Sequence, residues 1–163
     1  MAAWSALSLL PDADVIGFSF GIHYGAPWGH RGATHSLAMA VAVGLAVGLV
    51  ARAFDRPCRR TALFAIAVLA SHGLLDTLTD GGLGCALFWP FDHTRHFAPW
   101  RPIPVAPIGL AFLSARGMAI SVTELLLFAP LLFYALRPAR FGGPRFAGAV
   151  LTIWALSVWL LWR

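Results

Sequence analysis

The chain has 163 residues, 59% hydrophobic and 12% charged, with a mean hydropathy of +0.74. A soluble domain carries about 25% charged residues, so this composition excludes a water-soluble globule and a disordered tail. The net charge of +5 comes from arginine alone, and the arginines are scattered between apolar blocks rather than forming the stripe that reads nucleic acid. Charge placed in this way faces lipid phosphates and sets membrane topology.

Met1 to Leu10 is apolar but would span only about 15 Å as a helix, half a crossing, and it lacks the positive start of a signal peptide. Four longer apolar blocks follow. Gly32 to Ala51 has no charge, and Thr61 to Leu78 is apolar except for His72 and Asp76. Gly117 to Leu136 holds Glu124 and Pro130, which should kink it, and Phe146 to Trp162 closes the chain. A crossing needs about 20 apolar residues. The expected fold is therefore all-α: one membrane-embedded domain over residues 1–163, with four transmembrane helices, a short N-terminal half-helix and a loop rich in aromatics and proline over the site. Ala40, Gly44 and Gly48 recur every four residues, the small-residue row that lets helices approach closely.

The loops Arg52–Arg60 and Arg137–Arg145 lie two crossings apart, hence on one side, and together hold seven arginines and one acid, Asp55. The positive-inside rule makes that side cytoplasmic. Cys58 then lies inside and Cys85 outside, so they should not pair. Six of the seven acids and all six histidines fall toward the opposite side. Helix packing does not demand that segregation, whereas a bound cation would.

Three stretches carry the candidate chemistry. In Leu10-Pro11-Asp12-Ala13-Asp14 the residues suit a turn, yet two carboxylates at a membrane boundary also suit a metal or a base. In His30-Arg31-Gly32-Ala33-Thr34-His35-Ser36, Thr34 reads as an N-cap. That puts His35 in the first helical turn, where the helix dipole favours a neutral, ligating imidazole. In Ser71 to Asp80, the residues His72, Asp76 and Asp80 step by four along one helix face, as metal ligands do. A buried His–Asp hydrogen bond joining helices is the plainer alternative, but ionisable groups inside a membrane helix are costly and mark function by default. The loop Cys85 to Pro107 carries Phe88, Trp89, Phe91, Trp100 and Arg95, which suit a lid at the lipid interface with a guanidinium for an anion. His23, His93 and His96 read as interfacial or solvated, and Glu124 as a ligand, a base or a partner of Arg116.

Leu-Pro-Asp-x-Asp, His-Arg-Gly-x-Thr-His-Ser, Ser-His-x-x-x-Asp-x-x-Thr-Asp-Gly and Trp-Pro-Phe…Arg-x-Phe occur in that order between Ser5 and Arg116. Together they resemble the YdjM-like family of membrane-bound, metal-dependent hydrolases, itself distantly similar to zinc-dependent phospholipase C. The resemblance implies a helical protein of the inner membrane with metal ligands at Asp12, His30, His35, His72 and Asp76, while Asp14 and Asp80 match motif positions of less defined role. The family pattern usually opens with a Thr-His stretch upstream of Leu-Pro-Asp that is not part of this sequence.

The function expected from these residues is metal-dependent hydrolysis. One or two divalent ions, Zn2+ or else Mn or Fe, activate a water, Asp80 or Asp14 takes the proton, and Arg31 and Arg95 steady anionic charge. A site at a membrane face implies an amphipathic substrate, a phospholipid or related phosphodiester, with the bilayer as the other partner. A divalent-metal transporter and a non-catalytic membrane protein with a structural metal are the alternatives.

Overall fold

The computed structural model describes residues 2–136 and 143–161. Arg137 and Arg140 of the second arginine loop, and Trp162 and Arg163, lie outside the described residues. Among those described, the secondary structure is helical: α1 (Ala2–Ser8), α2 (Leu37–Ala53), α3 (Cys58–Thr77), α4 (Ala115–Leu136) and α5 (Pro144–Leu161), with 3-10 helices at Pro11–Phe20, Ala33–His35 and Gly109–Leu113. Two isolated bridges, Thr79 with Ile103 and Cys85 with His96, pin the connecting loops without forming a strand. The residues divide into two compact units, Met1–Ile103 and Pro104–Arg163.

The first unit is built on α2 and α3, joined by a short arginine-rich turn. The buried residues of α2 are all small, Ala40, Gly44 and Gly48, and those of α3 include Ala62, Ala65 and Leu69. A Cβ on Gly44 would lie 2.8 Å from the backbone nitrogen of Ile66, and one on Gly48 would lie 2.6 Å from the Ala62 Cβ. The glycine row thus serves packing within the chain. Leu45, Leu49, Leu63 and Phe64 face outward from the same two helices. Small residues inside and large apolar ones outside is the arrangement of helices packed in lipid. The seven-residue α1 lies along α3, with Trp4 edge-on to Phe64 at 4.7 Å between ring centroids.

In the second unit, α4 and α5 pack side by side, and Tyr134 stacks on Phe146 at 6.1 Å. Helix α4 bends by 44° between its Ala115–Leu126 and Phe128–Tyr134 sections. The bend falls one turn before Pro130, where the ring clashes with the preceding turn and removes a backbone bond.

Only α3 among the described helices is long and apolar enough to cross a membrane unaided, and the two sections of α4 reach that length and hydropathy only together, across their bend. The apolar helix α2, at 17 residues, falls short of the usual length. The expected start of α2 at His35, behind a Thr34 cap, moves to Leu37. Arg31 adopts a left-handed backbone (φ 61°), residues 33–35 form a 3-10 turn, and Ser36, not Thr34, caps the helix by accepting from the Met39 N–H at 3.1 Å.

Candidate metal centre

Three segments of the first unit converge at the end of α3. Asp12 and Asp14 lie two apart on a 3-10 helix, where three residues make a turn, so their side chains diverge by about 120° around its axis. His35 ends the 3-10 turn before α2, and its ring sits between the two acids. His72 and Asp76 occupy successive turns of α3 on one face. His35 comes against α3 because Gly73, next to His72, has no side chain, and a Cβ there would collide with the His35 carbonyl oxygen. The thiol of Cys85 reaches the same carbonyl at 3.7 Å. Both cysteines are unbridged.

One ligand atom from each of Asp12, His35, His72 and Asp76 lies within 4.8 Å of the others. His35 Nε2 is 3.3 Å from Asp12 Oδ1 and 3.3 Å from Asp76 Oδ2, and His72 Nε2 is 3.3 Å from Asp12 Oδ1. The donor set fits a divalent ion on independent grounds. His72 Nε2 and Asp76 Oδ2 are buried, neither makes a hydrogen bond, and both point into this group. Buried polar atoms without partners are rare and call for an explanation, and two imidazoles with two carboxylates suit zinc, manganese or iron. The side chains of His35, His72 and Asp76 are 0%, 15% and 17% exposed, against 43% for Asp12, so the group opens on the Asp12 side.

A second group, Asp14, His30 and His35, adjoins the first through the His35 ring. The Asp14 side chain is 2% exposed and lies 2.8 Å from His30 Nδ1 and 3.3 Å from His35 Nδ1. The Thr34 hydroxyl donates to Asp14 Oδ2 at 2.6 Å.

The electrostatics follow from this clustering. Burial alone would push the Asp12 and Asp14 carboxyls upward, but the imidazoles of His35 and His72 beside Asp12, and those of His30 and His35 with the Thr34 hydroxyl beside Asp14, hold both well below the usual carboxylate range. Burial works against the His35 imidazolium, yet Asp12, Asp14 and Asp76 outweigh it and raise His35 to about 10. The neutral His35 expected from a helix N-terminus is therefore corrected for the metal-free chain. Its ring precedes α2, and three acids override the dipole.

The remaining site residues fall elsewhere or take other roles. Asp80 does not continue the His72–Asp76 face, because α3 ends at Thr77; it is exposed, with its backbone N–H on the Ile103 carbonyl. Arg31, expected to meet an anion, is buried, and its guanidinium bonds Thr79 Oγ1 at 2.7 Å, the Gly81 carbonyl at 3.0 Å and Asp76 Oδ1 at 3.4 Å. It grips one oxygen of Asp76 and leaves the other toward the histidines. Arg95 donates to four backbone carbonyls, those of His30, Gly84, Tyr24 and Ala26. The loop expected as a lid therefore acts through its contacts as a brace on residues 24–37; the Leu37 N–H also bonds the Leu87 carbonyl. His23 and His93 are exposed, His96 pairs with Asp92 at 3.5 Å, and Glu124 belongs to α4 in the second unit. Sequence reasoning missed Gly73, whose only signal was a glycine inside a helix beside a ligand candidate.

Residues 1–162 match the family model described as YdjM inner membrane protein. The chain is 43% identical over 122 residues to the inner membrane protein YbcI of Escherichia coli (strain K12), a match covering 74% of this chain and 70% of that relative. No solved structure matches the chain. A match over nearly the whole length, with the histidine and aspartate stretches inside it, settles the kinship: the chain belongs to the YdjM family of inner membrane proteins.

Proposed function

We propose that this protein is a metal-dependent hydrolase of the inner membrane that acts on an amphipathic substrate, a phospholipid or related phosphodiester. The observation that carries the reading is the convergence of Asp12, His35, His72 and Asp76, with two buried ligand atoms lacking any other partner. A divalent ion in such a set supplies charge that polarises a phosphoryl or carbonyl oxygen and acidifies water. The chain's own groups do the rest. Arg31 fixes Asp76, and Gly73 brings His35 to His72. Asp14 is buried among its partners and Asp80 lies off the group, while Asp12, the most exposed of the four donors, marks the open side of the set. Substrate enters on that side. The apolar helices cross the inner membrane, with the Arg52–Arg60 turn in the cytoplasm and the site toward the other face.

One observation favours a second reading. Four protein donors would match the ligand count of a structural zinc site, whereas catalytic sites keep a position open. Purified protein in phospholipid nanodiscs separates the two. Hydrolysis that disappears on chelation and in His72→Ala supports the enzyme. Bound metal with no turnover of any phospholipid supports the structural role, and undiminished turnover after chelation discards both.

A further inference from the structure

We infer that Asp14 is a positioning residue that holds protons on His30 and His35, so that the Asp14–His30–His35 group is filled by hydrogen bonds and the site takes a single ion. The inference rests on the metal-centre reading above and assigns the part of the site that reading leaves open. The donor directions decide it. The Thr34 hydroxyl has one proton, and at 2.6 Å from Asp14 Oδ2, an atom that only accepts, it gives that proton to the carboxylate. Thr34 Oγ1 is then an acceptor for its other neighbour, His35 Nδ1 at 3.0 Å. Nδ1 of His35 therefore carries a hydrogen, shared toward Asp14 Oδ2 at 3.3 Å. A neutral His35 with its hydrogen on Nδ1 presents a bare Nε2, the atom that faces Asp12, Asp76 and His72.

The same logic fixes His30. Its Nδ1 lies 2.8 Å from Asp14 Oδ1, so Nδ1 donates and offers no lone pair there. Both oxygens of Asp14 are thus occupied by N–H and O–H donors, and the carboxylate is 2% exposed. An ion placed among these three residues would have to displace all of those hydrogens from a buried carboxylate. The arrangement is instead that of a ligating histidine whose far nitrogen is held by a carboxylate, which sets tautomer and ring orientation.

Two measurements on the full-length chain in detergent micelles test this. The first is long-range proton–nitrogen correlation NMR of the histidine rings in zinc-loaded protein. It should show His35 and His30 protonated at Nδ1, with His35 Nε2 shifted by the metal; His35 protonated at Nε2 overturns the inference, and this result needs no variant. The second is zinc titration against a chromophoric chelator. Wild type should bind one ion. Asp14→Asn should still bind one, with affinity reduced about 10- to 100-fold and unchanged helical circular dichroism, and Asp14→Glu should recover part of the loss. Two ions in wild type falling to one in Asp14→Asn, or an affinity untouched by the substitution, overturns the inference while leaving a metal centre in place. A wild-type chain that takes up no zinc overturns the metal-centre reading itself, and this inference with it.

Discussion

The carbonyl oxygen of His35 rests against the Cα of Gly73, one residue from His72, at a point where a Cβ would collide with it. Two candidate ligands from distant parts of the sequence are thereby set side by side, their ring centroids 5.0 Å apart. The obstacle to a larger residue is backbone, which cannot rotate away.

Gly73→Ala should therefore separate His35 from α3. Overpacking of this kind costs about 1–3 kcal/mol, and zinc affinity should fall more than stability alone accounts for. Paired thermal denaturation and zinc titration check this; an affinity equal to wild type refutes the positioning role of the glycine.

Removing a ligand should abolish what the ion adds. With metal a hundredfold above its dissociation constant, binding stabilises a fold by about 2.7 kcal/mol. The melting temperature of wild type should rise with zinc and fall with chelator, while His72→Ala and Asp76→Asn should be indifferent to both. A zinc-dependent rise that persists in both variants would place the ion elsewhere.

The protonation of His35 gives a pH dependence. In the metal-free chain this group is raised to about 10 from 6.5, so the stability it contributes is complete below the unfolded value and is lost as pH climbs through the folded one. Zinc must displace a proton from it, whereas Asp12 and Asp14 are already ionised. Zinc affinity should increase with pH from neutrality upward, with proton release visible as a buffer-dependent enthalpy in calorimetry. Proton uptake, or an affinity that declines over this range, contradicts the arrangement.

Arg95 should be a stability residue. Its guanidinium satisfies four backbone carbonyls, that of His30 among them. Arg95→Ala should destabilise by about 3 kcal/mol, the value of losing charge-assisted bonds at partly buried acceptors. Arg95→Lys should rescue little, because a single ammonium cannot span the fork. Chemical denaturation measures both, and a neutral Arg95→Ala returns the residue to an anion-binding role.

Much of this was legible in the sequence because it is periodic. The four-residue rows at Ala40–Gly44–Gly48 and His72–Asp76 describe real helix faces, since helical geometry is local. Asp80 broke the row because α3 stops at Thr77, and its final turn is set by a tertiary contact, the pairing of Thr79 with Ile103, that no local pattern encodes. The cap at Ser36 instead of Thr34 has a similar origin. Thr34 spends its hydroxyl on Asp14, twenty residues away, and Arg31 bends the chain just before it. The arginines were misplaced for the same reason. A guanidinium amid aromatics reads the same whether it faces an anion or gathers carbonyls, and only the folded chain separates the two.

The stagger of Asp12 and Asp14 on their 3-10 turn works as a caliper closed on one imidazole, a jaw on each nitrogen of His35. Its gauge is set by backbone pitch, so it tolerates no slippage. Inserting or deleting one residue between Pro11 and Asp14 would swing a jaw to the wrong side of the ring, where conservative exchanges at Ala13 would leave the grip intact.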